Sequence, residues 1–547
     1  MMKKSICRFV LLLIVSMSFC YVKSQNDFEI AKNVDIFVSV LKELNAKYAD
    51  EINPGDLTKS AIDAMLLNLD PYTVYYPDYQ LEDVRMMTTG QYGGIGALIH
   101  QNGNYVVISE PYEGTPAQEA GLRAGDKFLK INGKSAVNKK SDEVSSFLKG
   151  EPGSTLTVEV ERYGEPKPLV FTLKRKEIKM PNIPYFGLID NKTGYIKLDQ
   201  FMEKSGTEVR EAFNKLKADG MNALILDLRG NGGGLLNEAV NIMNIFIDKG
   251  TVIAETKGKL QETVHKNVTQ LPVLDRNIPV VVLVNESSAS ASEIVSGAFQ
   301  DLDRGLIVGK KTFGKGLVQN IVPLSYNSSL KITISKYYIP SGRCVQNVDY
   351  FSKDSIAQRH IPDSLARPFK TKNGRTVYDK GGIEPDMITP DTIASNLLVT
   401  LVYNSLIFDF ATQYRQKYDA IGNAQDFKVD DELYEDFVNF LKDKQYSYNS
   451  ETENLLKELK KTAMREKYFS AVEPLYNEMK NKIEADKKSD LMKYKDEIKQ
   501  YLASEIVARY YYQKGRIINN LMNDPDISMA RNLLSDKASY NRILSGK

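Results

Sequence analysis

The feature that most constrains the fold is an alternation of strands and a helix between residues 279 and 319. Val280 to Val284 is a short run of branched apolar residues bounded by polar ones, which is typical of a buried strand. A cluster of serine and alanine follows, and apolar residues then return at helical spacing from Ile294 to Phe299. A second apolar strand is predicted at Leu306 to Val308. Strands buried on both faces and joined by a helix predict an α/β core.

A serine stands at the start of the predicted helix. Ser290 and Glu293 have the S-x-x-E spacing of a capping box, so the simplest interpretation of Ser290 is a helix N-cap. The same position also suits a nucleophile, because backbone N–H groups and the helix dipole converge there. The three histidines of the chain, His100, His265 and His360, all lie far from this stretch in sequence. A lysine amine is therefore the candidate base for such a nucleophile.

Lys315 is the lysine that fits this role. It lies between two glycines and close to Phe313 and Leu317, surroundings that would favour the uncharged amine that a base needs. The same segment, Gly309 to Gly316 (GKKTFGKG), resembles the phosphate-binding pattern G-x-x-x-x-G-K-[ST], but Gly316 stands where the hydroxyl is required. The following GLVQNIVPL alternates like a strand, whereas a phosphate-binding loop must open a helix. The pattern therefore disfavours nucleotide binding.

Four short blocks occur in order within roughly residues 60 to 390. They are DLRGNGGGLL (Asp227 to Leu236), SSASASEI, VGKKTFGKGLVQ and YYIPSGRCVQ (Tyr337 to Gln346). Together they resemble the C-terminal processing peptidases, which are tail-specific serine proteases that carry a PDZ domain. The resemblance implies a crotonase-like serine protease core of α/β architecture.

The resemblance also implies a role for individual residues. Ser290 would be the nucleophile, Lys315 its base, and Gln319 the residue that orients the lysine. The oxyanion hole would use the N–H groups of Ala291 and Gly234.

Two charged residues precede these glycines. Asp227 and Arg229 are expected to hold the glycine-rich turn in place rather than to act on substrate.

A β-rich module is predicted between residues 87 and 176. Short alternating strands (YVVISE, FLKING and TLTVEVER) accompany one helix, SDEVSSFLKG, and the module resembles a PDZ domain. The resemblance implies that Gly94, Ile95, Gly96 and Ala97 form the loop that binds a C-terminal carboxylate, while the adjacent edge strand takes an extended peptide. An ordinary turn is the alternative interpretation of the glycines taken alone.

The predicted fold class is a multidomain α+β chain with helical N- and C-terminal regions around these two domains. The predicted divisions are a signal peptide (1–24), an N-terminal helical region (25–86), a PDZ domain (87–176), a peptidase core (177–390) and a C-terminal helical region (391–547).

The first segment has the basic start, apolar centre and small residues of a secretory signal. Cleavage after Ser24 is favoured over lipidation at Cys20, because Phe19 is bulky for a lipobox. Cleavage would leave Cys344 as the one remaining cysteine, and a packed thiol is the expected role for it.

These observations predict an exported serine endopeptidase of the periplasm or cell envelope, with association with the inner membrane left open. Its partners would be proteins or peptides with free C-termini, and the helical regions could support a homo-oligomer. A net charge of +2 with both signs mixed does not indicate nucleic acid as a partner. Three scattered histidines and one mature cysteine predict neither a metal nor a cofactor. The alternative function is a non-catalytic PDZ adaptor or chaperone of the cell envelope.

Overall fold

A computed structural model describes residues 26–259, 264–350, 363–390 and 394–546. The predicted signal segment, with Cys20 and the cleavage site at Ser24, lies outside the described residues, as does His360. The chain divides into two compact units, Met1–Tyr79 with Gln319–Thr333, and Gln80–Val318 with Ile334–Lys547. None of the helices in the described ranges is long and apolar enough to cross a lipid bilayer.

The described N-terminal part of the first unit contains two helices and a short strand. They are α1 (residues 26–47), α2 (Pro54–Leu67) and β1 (Val74–Tyr76). The second helix begins where Asn53 accepts a hydrogen bond from Gly55 N, and Pro54 takes an early helical position that needs no N–H donor. The strand pairs antiparallel with residues Ser329–Lys331.

The second unit opens with a β-rich module. Its elements are α3 (Leu81–Thr89), β2 (Gln91–Gly94), β3 (Ala97–Asn102), β4 (Tyr105–Pro111), α4 (Pro116–Glu119), β5 (Lys127–Ile131), β6 (Lys134–Ser135), α5 (Ser141–Leu148), β7 (Thr155–Glu161), β8 (Leu169–Lys174) and β9 (Lys176–Lys179). An antiparallel sheet in the order β3-β4-β5-β7-β8 encloses a core that includes Ile108, Phe128 and Val158. Within the described chain, β4 is the one strand partner of β3, so β3 is an edge strand.

A mostly parallel sheet follows. The elements of this region are β10 (Tyr185–Leu188), β11 (Thr193–Lys197), α6 (Ser205–Ala218), β12 (Ala223–Asp227), α7 (Leu236–Met243), β13 (Val252–Gly258), β14 (His265–Val268), β15 (Val280–Val284), α8 (Ala291–Asp301), β16 (Leu306–Gly309), β17 (Leu317–Pro323), β18 (Ser329–Tyr338), β19 (Pro368–Lys370), β20 (Thr376–Tyr378) and β21 (Met387–Ile388). The strand order is β10-β11-β12-β15-β16-β21, and only the β10–β11 pair is antiparallel.

The last part of the described chain is helical. Its helices are α9 (Asn396–Tyr403), α10 (Leu406–Lys417), α11 (Asp431–Leu441), α12 (Glu451–Arg465), α13 (Phe469–Lys487), α14 (Asp490–Lys493), α15 (Lys495–Leu521), α16 (Pro525–Ser535) and α17 (Lys537–Ser545). The longest helix, α15, is broken at Tyr512, whose φ of 54° and ψ of −159° are not helical.

Helices cover both faces of the parallel sheet. Alternate residues of a strand point to opposite faces, so Leu226 and Val282 join a core with α6, α7 and α8. Their neighbours Ile225 and Val281 pack instead with residues of α16, among them Ile527. The carboxyl ends of β12, β15 and β16 meet at one edge of this sheet, and the loops that leave them carry the predicted site.

The helical region also contacts the β-rich module. The His100 ring lies edge-on to Phe408, with 4.8 Å between the ring centroids. Asn102 Nδ2 donates to Asp409, and Glu110 accepts a hydrogen bond of 2.6 Å from Gln513 N. The module is therefore held through residues of β3 and β4.

The structure confirms the predicted fold class, a multidomain α+β chain with an α/β core, a β-rich module and helical ends. The helical spacing of apolar residues in LLNEAVNIMNIFI extends to Ile247, but α7 ends at Met243. The Asn244 side chain explains the difference, because its Nδ2 donates back to Val240 O while its Oδ1 accepts from Gln270 N and Leu271 N. These bonds direct the chain away from the helix axis.

Candidate active site

Ser290 lies between strand β15 and helix α8, in a conformation that side chains rarely adopt. Its φ is 55° and its ψ is −112°, and it occupies the N-cap of α8. A positive φ costs of the order of 1–3 kcal/mol for a residue with a Cβ, so the surroundings must hold it. A strained turn between a strand and a helix is also where a nucleophilic serine is presented in other hydrolase folds.

A buried carboxylate connects this turn to the lysine loop. Glu293 is fully buried, and its Oε2 accepts hydrogen bonds from Ser290 N at 2.8 Å and from Lys315 N at 2.9 Å. Its Oε1 accepts from Thr312 Oγ1 at 2.6 Å and from Gly314 N at 2.7 Å. Because two backbone N–H groups meet on one oxygen, the backbones of Ser290 and Lys315 lie side by side.

Burial changes the titration of the groups around this turn. Burial raises the pKa of Glu293, and the hydrogen bonds from Thr312, Lys315, Ser290 and Gly314 oppose that rise without cancelling it. Burial, with the Glu293 carboxylate nearby, also raises the pKa of Tyr337 well above its usual value. Tyr337 therefore keeps its proton at neutral pH, and its hydroxyl donates to Ser290 O at 3.2 Å.

The glycine loop, residues 228–234, reaches Ser290 from the neighbouring strand β12. At Gly233, with a φ of 102°, an added Cβ would stand 2.7 Å from Ser290 Cβ and 3.0 Å from Ala291 N. Its N–H donates to Asn231 Oδ1 at 2.9 Å. Gly234 forms a bridge with Phe201 and has a φ of 143°. Gly233 thus lies close to Ser290, but its N–H already donates to Asn231 Oδ1. Gly234, the predicted oxyanion donor, is the next residue.

Three further side chains attach the glycine loop to the serine turn. Ser288 Oγ donates to Leu228 O at 2.8 Å, and Ser292 Oγ donates to Asn231 O at 2.9 Å. Asn285 Oδ1 accepts from Gly230 N at 2.9 Å. The serine cluster thus contributes structural hydrogen bonds on both sides of Ser290.

Asp227 and Arg229 pair with each other at the start of the glycine loop, which agrees with the expectation that they hold this loop. Arg229 donates to both oxygens of Asp227, with distances of 3.0 and 2.7 Å. Tyr195 OH donates to the same carboxylate at 2.7 Å. Burial alone would raise the pKa of Asp227, but Arg229 and Lys197 outweigh it and lower this pKa to about 2.

Gln319 lies on β17, in the first of the two units. Its Nε2 donates to Thr333 Oγ1 at 3.1 Å, and Thr333 Oγ1 donates to Asp70 Oδ1 at 3.2 Å. Asp70 also accepts from Thr73 N and Thr73 Oγ1, each at 2.9 Å. Within this unit, the segment after α2 is therefore connected to Gln319 through one threonine.

Cys344 is partly buried and has no disulfide partner among the described residues. Burial raises the pKa of this thiol, so it stays protonated at neutral pH and is a poor nucleophile. Its Sγ lies against Gly316, where an added Cβ would be 3.0 Å away. These contacts agree with the packed thiol that the sequence predicts.

The predicted carboxylate loop precedes edge strand β3. Ile95 is buried, and its carbonyl accepts from Ala117 N at 2.8 Å. Gly96 has a φ of 73°, and its carbonyl accepts from Thr115 Oγ1 at 2.8 Å. These bonds hold the carbonyls of the loop inside the module. Ala97 begins β3.

Sequence reasoning missed two features of this site. It recognised Glu293 only as a capping residue, although the carboxylate also binds the loop of Lys315, 22 residues further along the chain. It also assigned no role to Gly233, whose approach to Ser290 depends on the pairing of β12 with β15. The S-x-x-E spacing was a signal for the first feature, whereas the run of three glycines offered no way to separate their roles.

Three family models match this chain. Residues 192–353 match the model of peptidase family S41, and residues 107–162 match that of a PDZ domain. Residues 397–534 match a model described as the C-terminal helical domain of a probable PDZ-protease.

Individual proteins are also similar to this chain. A carboxy-terminal-processing protease of Bartonella bacilliformis is 34% identical over 346 residues, which are 62% of this chain and 79% of that protein. A probable CtpA-like serine protease of Staphylococcus aureus is 36% identical over 315 residues, which are 57% of this chain and 62% of that protein. The chain thus spans slightly less than two thirds of the staphylococcal protein. Among solved structures, the photosystem II D1 C-terminal processing protease is 27% identical, with 64% of this chain and 92% of that chain covered and a TM-score of 0.36.

Proposed function

This chain belongs to peptidase family S41 and carries a PDZ domain, and on that premise we propose that it is an exported endopeptidase with Ser290 as nucleophile and Lys315 as base. Its substrates would be proteins or peptides with free C-termini, which the PDZ domain binds and the core cleaves. The resemblance found in the sequence is thereby confirmed at the level of the family.

The proposed reaction is acyl transfer. The Lys315 amine removes the proton from Ser290 Oγ while Oγ bonds to the carbonyl carbon of the scissile peptide. The N–H groups of Ala291 and Gly234 hold the resulting oxyanion, and each such donor is worth roughly 2.7–4 kcal/mol of barrier in comparable sites. The leaving amine takes the proton back from Lys315. Water then attacks the ester with Lys315 again as base, which releases Ser290 and the shortened substrate. Gln319 would orient the lysine.

The Glu293 carboxylate is the observation that carries this proposal. It accepts the N–H groups of Ser290 and Lys315 on a single oxygen, although the two residues belong to different loops. An N-cap serine needs no lysine beside it, so a purely structural serine would not explain this arrangement.

Paired substitutions test the assignment. Ser290→Ala and Lys315→Met should each abolish cleavage of an unstructured peptide, with binding of its tail unchanged. The exposed Ser287 of the same turn and the nearby Lys311 provide matched controls, and Ser287→Ala and Lys311→Met should cleave normally. Full activity of Ser290→Ala would disprove the assignment. A folded wild-type protein that binds tails but cleaves nothing would instead support the adaptor alternative.

The PDZ domain is proposed to bind the substrate tail. The loop from Gly94 to Ala97 leads into β3, whose outer edge has no strand partner in the described chain, so an extended peptide can add there. Carboxylate binding by the loop predicts that an amidated peptide binds more weakly than the same peptide with a free C-terminus. Equal affinities by fluorescence anisotropy would argue against this role.

Four further points belong to the proposal. Export to the periplasm or cell envelope follows from the signal segment, and the domain divisions at 25–86, 87–176, 177–390 and 391–547 remain predictions. No cofactor enters the proposed chemistry. Self-association through α1 is supported by apolar side chains such as Phe28 and Val34, which are 65% and 58% exposed. Light scattering of a Phe28→Glu/Val34→Glu variant should then give a smaller species than the wild type.

A further inference from the structure

Arg229 joins the glycine loop to the C-terminal helical region. Besides its two bonds to Asp227, its guanidinium contacts Asp524 and Asp526 through one nitrogen, each at 2.8 Å. The Arg229 side chain is only 18% exposed. Three carboxylates therefore surround one cation, and two of them come from almost 300 residues further along the chain.

The two distant carboxylates are held rigidly. Asp524 is the N-cap of α16, and its Oδ1 accepts from Asp526 N at 2.9 Å and from Ile527 N at 3.1 Å. Its other oxygen, Oδ2, contacts the Arg229 guanidinium. The helix itself packs on the sheet through residues such as Ile527 and Ala530, which share a core with Ile225 of β12. The acidic end of α16 is thus fixed relative to the strand that precedes the glycine loop.

The backbone that follows Arg229 is also fixed. Lys197 Nζ donates to Arg229 O, and Asn231 Nδ2 donates to Leu198 O at 2.8 Å. Asn231 then accepts the N–H of Gly233, the residue that contacts Ser290. Gly233 follows Arg229 by only four positions, so a displacement of the Arg229 side chain reaches the serine turn through a short, hydrogen-bonded segment.

Open space lies beside this ion cluster. A cavity of about 850 Å³ is lined by Arg229, Asn285 and Lys310 on the side of the sheet and by Asp524 and Asp526 on the side of the helices. Without the two aspartates, Arg229 would keep only its bonds to Asp227, and the cavity would give the Nη1 side of its guanidinium room to turn and take up water. The ion pairs with Asp524 and Asp526 therefore help to keep the Arg229 side chain beside the glycine loop.

We propose that Asp524 and Asp526 are positioning residues, which act through Arg229 to hold the glycine loop against Ser290. The C-terminal helical region then helps to position the active site, in addition to covering one face of the parallel sheet. The loss of activity expected on removing these carboxylates rests on the function proposed above. The loss of order expected in the glycine loop does not.

The double variant Asp524→Asn/Asp526→Asn isolates the charge, because asparagine caps helices as well as aspartate does. Amide hydrogen exchange in residues 228–235 should become faster. The kcat for an unstructured peptide should fall by roughly tenfold to a hundredfold, as expected for a displaced active-site group. KM and tail affinity should stay unchanged. Asp526→Glu, which keeps the charge, should retain most of the rate.

Asp536→Asn is the matched control. Asp536 caps α17 through Ala538 N and Ser539 N in the same way, at 3.1 and 3.0 Å, so its substitution should alter neither exchange nor kcat. Unchanged exchange in the glycine loop of the double variant would overturn the proposal whatever the activity. Faster exchange combined with wild-type kcat would overturn its catalytic part. Cleavage that persists in Ser290→Ala would refute the proposed function alone, since the exchange result stands without it.

Discussion

Substituting Gly233 by alanine should disable the site without unfolding the protein. The glycine has a φ of 102°, and its Cα faces the serine turn from the neighbouring strand. A Cβ at this position would stand 2.7 Å from Ser290 Cβ, 2.8 Å from Ala289 O and 3.0 Å from Ala291 N. The added methyl group would therefore stand too close to the Ser290 side chain and to the backbone of Ala289 and Ala291.

The size of the effect follows from these distances. Carbon atoms in contact usually lie about 3.5–4.0 Å apart, so the glycine loop and the turn must separate by about 0.8 Å at Ser290 Cβ. The positive φ adds roughly 1–3 kcal/mol of backbone strain. A misplacement of about 1 Å at an active site costs roughly a hundredfold in rate, equivalent to about 2.7 kcal/mol of barrier. We expect Gly233→Ala to lower kcat by about that factor.

A fluorogenic peptide with a free C-terminus measures this rate, and a labelled tail measures PDZ binding in the same preparation. Gly232→Ala is the control, because an added Cβ there has no heavy atom within 4 Å and the backbone does not require a positive φ. That variant should cleave like the wild type. Wild-type cleavage by a folded Gly233→Ala protein would refute the close approach of the glycine loop to Ser290.

Two more predictions concern buried carboxylates. Glu293→Gln replaces one acceptor oxygen by an amide that faces N–H donors, at roughly 1–3 kcal/mol for each donor left without a partner. It should lower both the thermal midpoint and the cleavage rate while tail binding persists; a normal rate would contradict the role of this carboxylate. For Asp227, a folded-state pKa of about 2 against 3.8 means that its stabilisation is complete above about pH 4 and disappears as the pH falls toward 2. The difference amounts to about 2 kcal/mol, so the gap between the thermal midpoints of wild type and Asp227→Asn should narrow from pH 5 to pH 2, and a constant gap would count against the lowered pKa.

Much of the core could be predicted because its signals are local. The branched run Val280 to Val284 forms the predicted strand, and the serine–alanine cluster starts the predicted helix at Ala291. A strand that is buried on both faces is apolar at nearly every position, so its sequence alone indicates a buried strand. The pairing of Asp227 with Arg229, two residues apart, was predictable for the same reason.

The remaining features depend on contacts between distant parts of the chain. Asp524 and Asp526 look like an ordinary acidic helix start, and nothing near them in sequence indicates Arg229. The early end of α7 depends on Asn244 accepting from Gln270 N, 26 residues away. Such partners are set by tertiary packing, which local propensity does not encode.

The way the helical region holds the PDZ domain has a consequence for substrate capture. Phe408 and Asp409 contact side chains that project from the flat face of β3, whereas an incoming tail would use the backbone groups along its rim. In the proposed mode of binding, the tail and the helical region therefore use different surfaces of β3. A tail bound as proposed would therefore leave the contacts of Phe408 with His100 and of Asp409 with Asn102 in place.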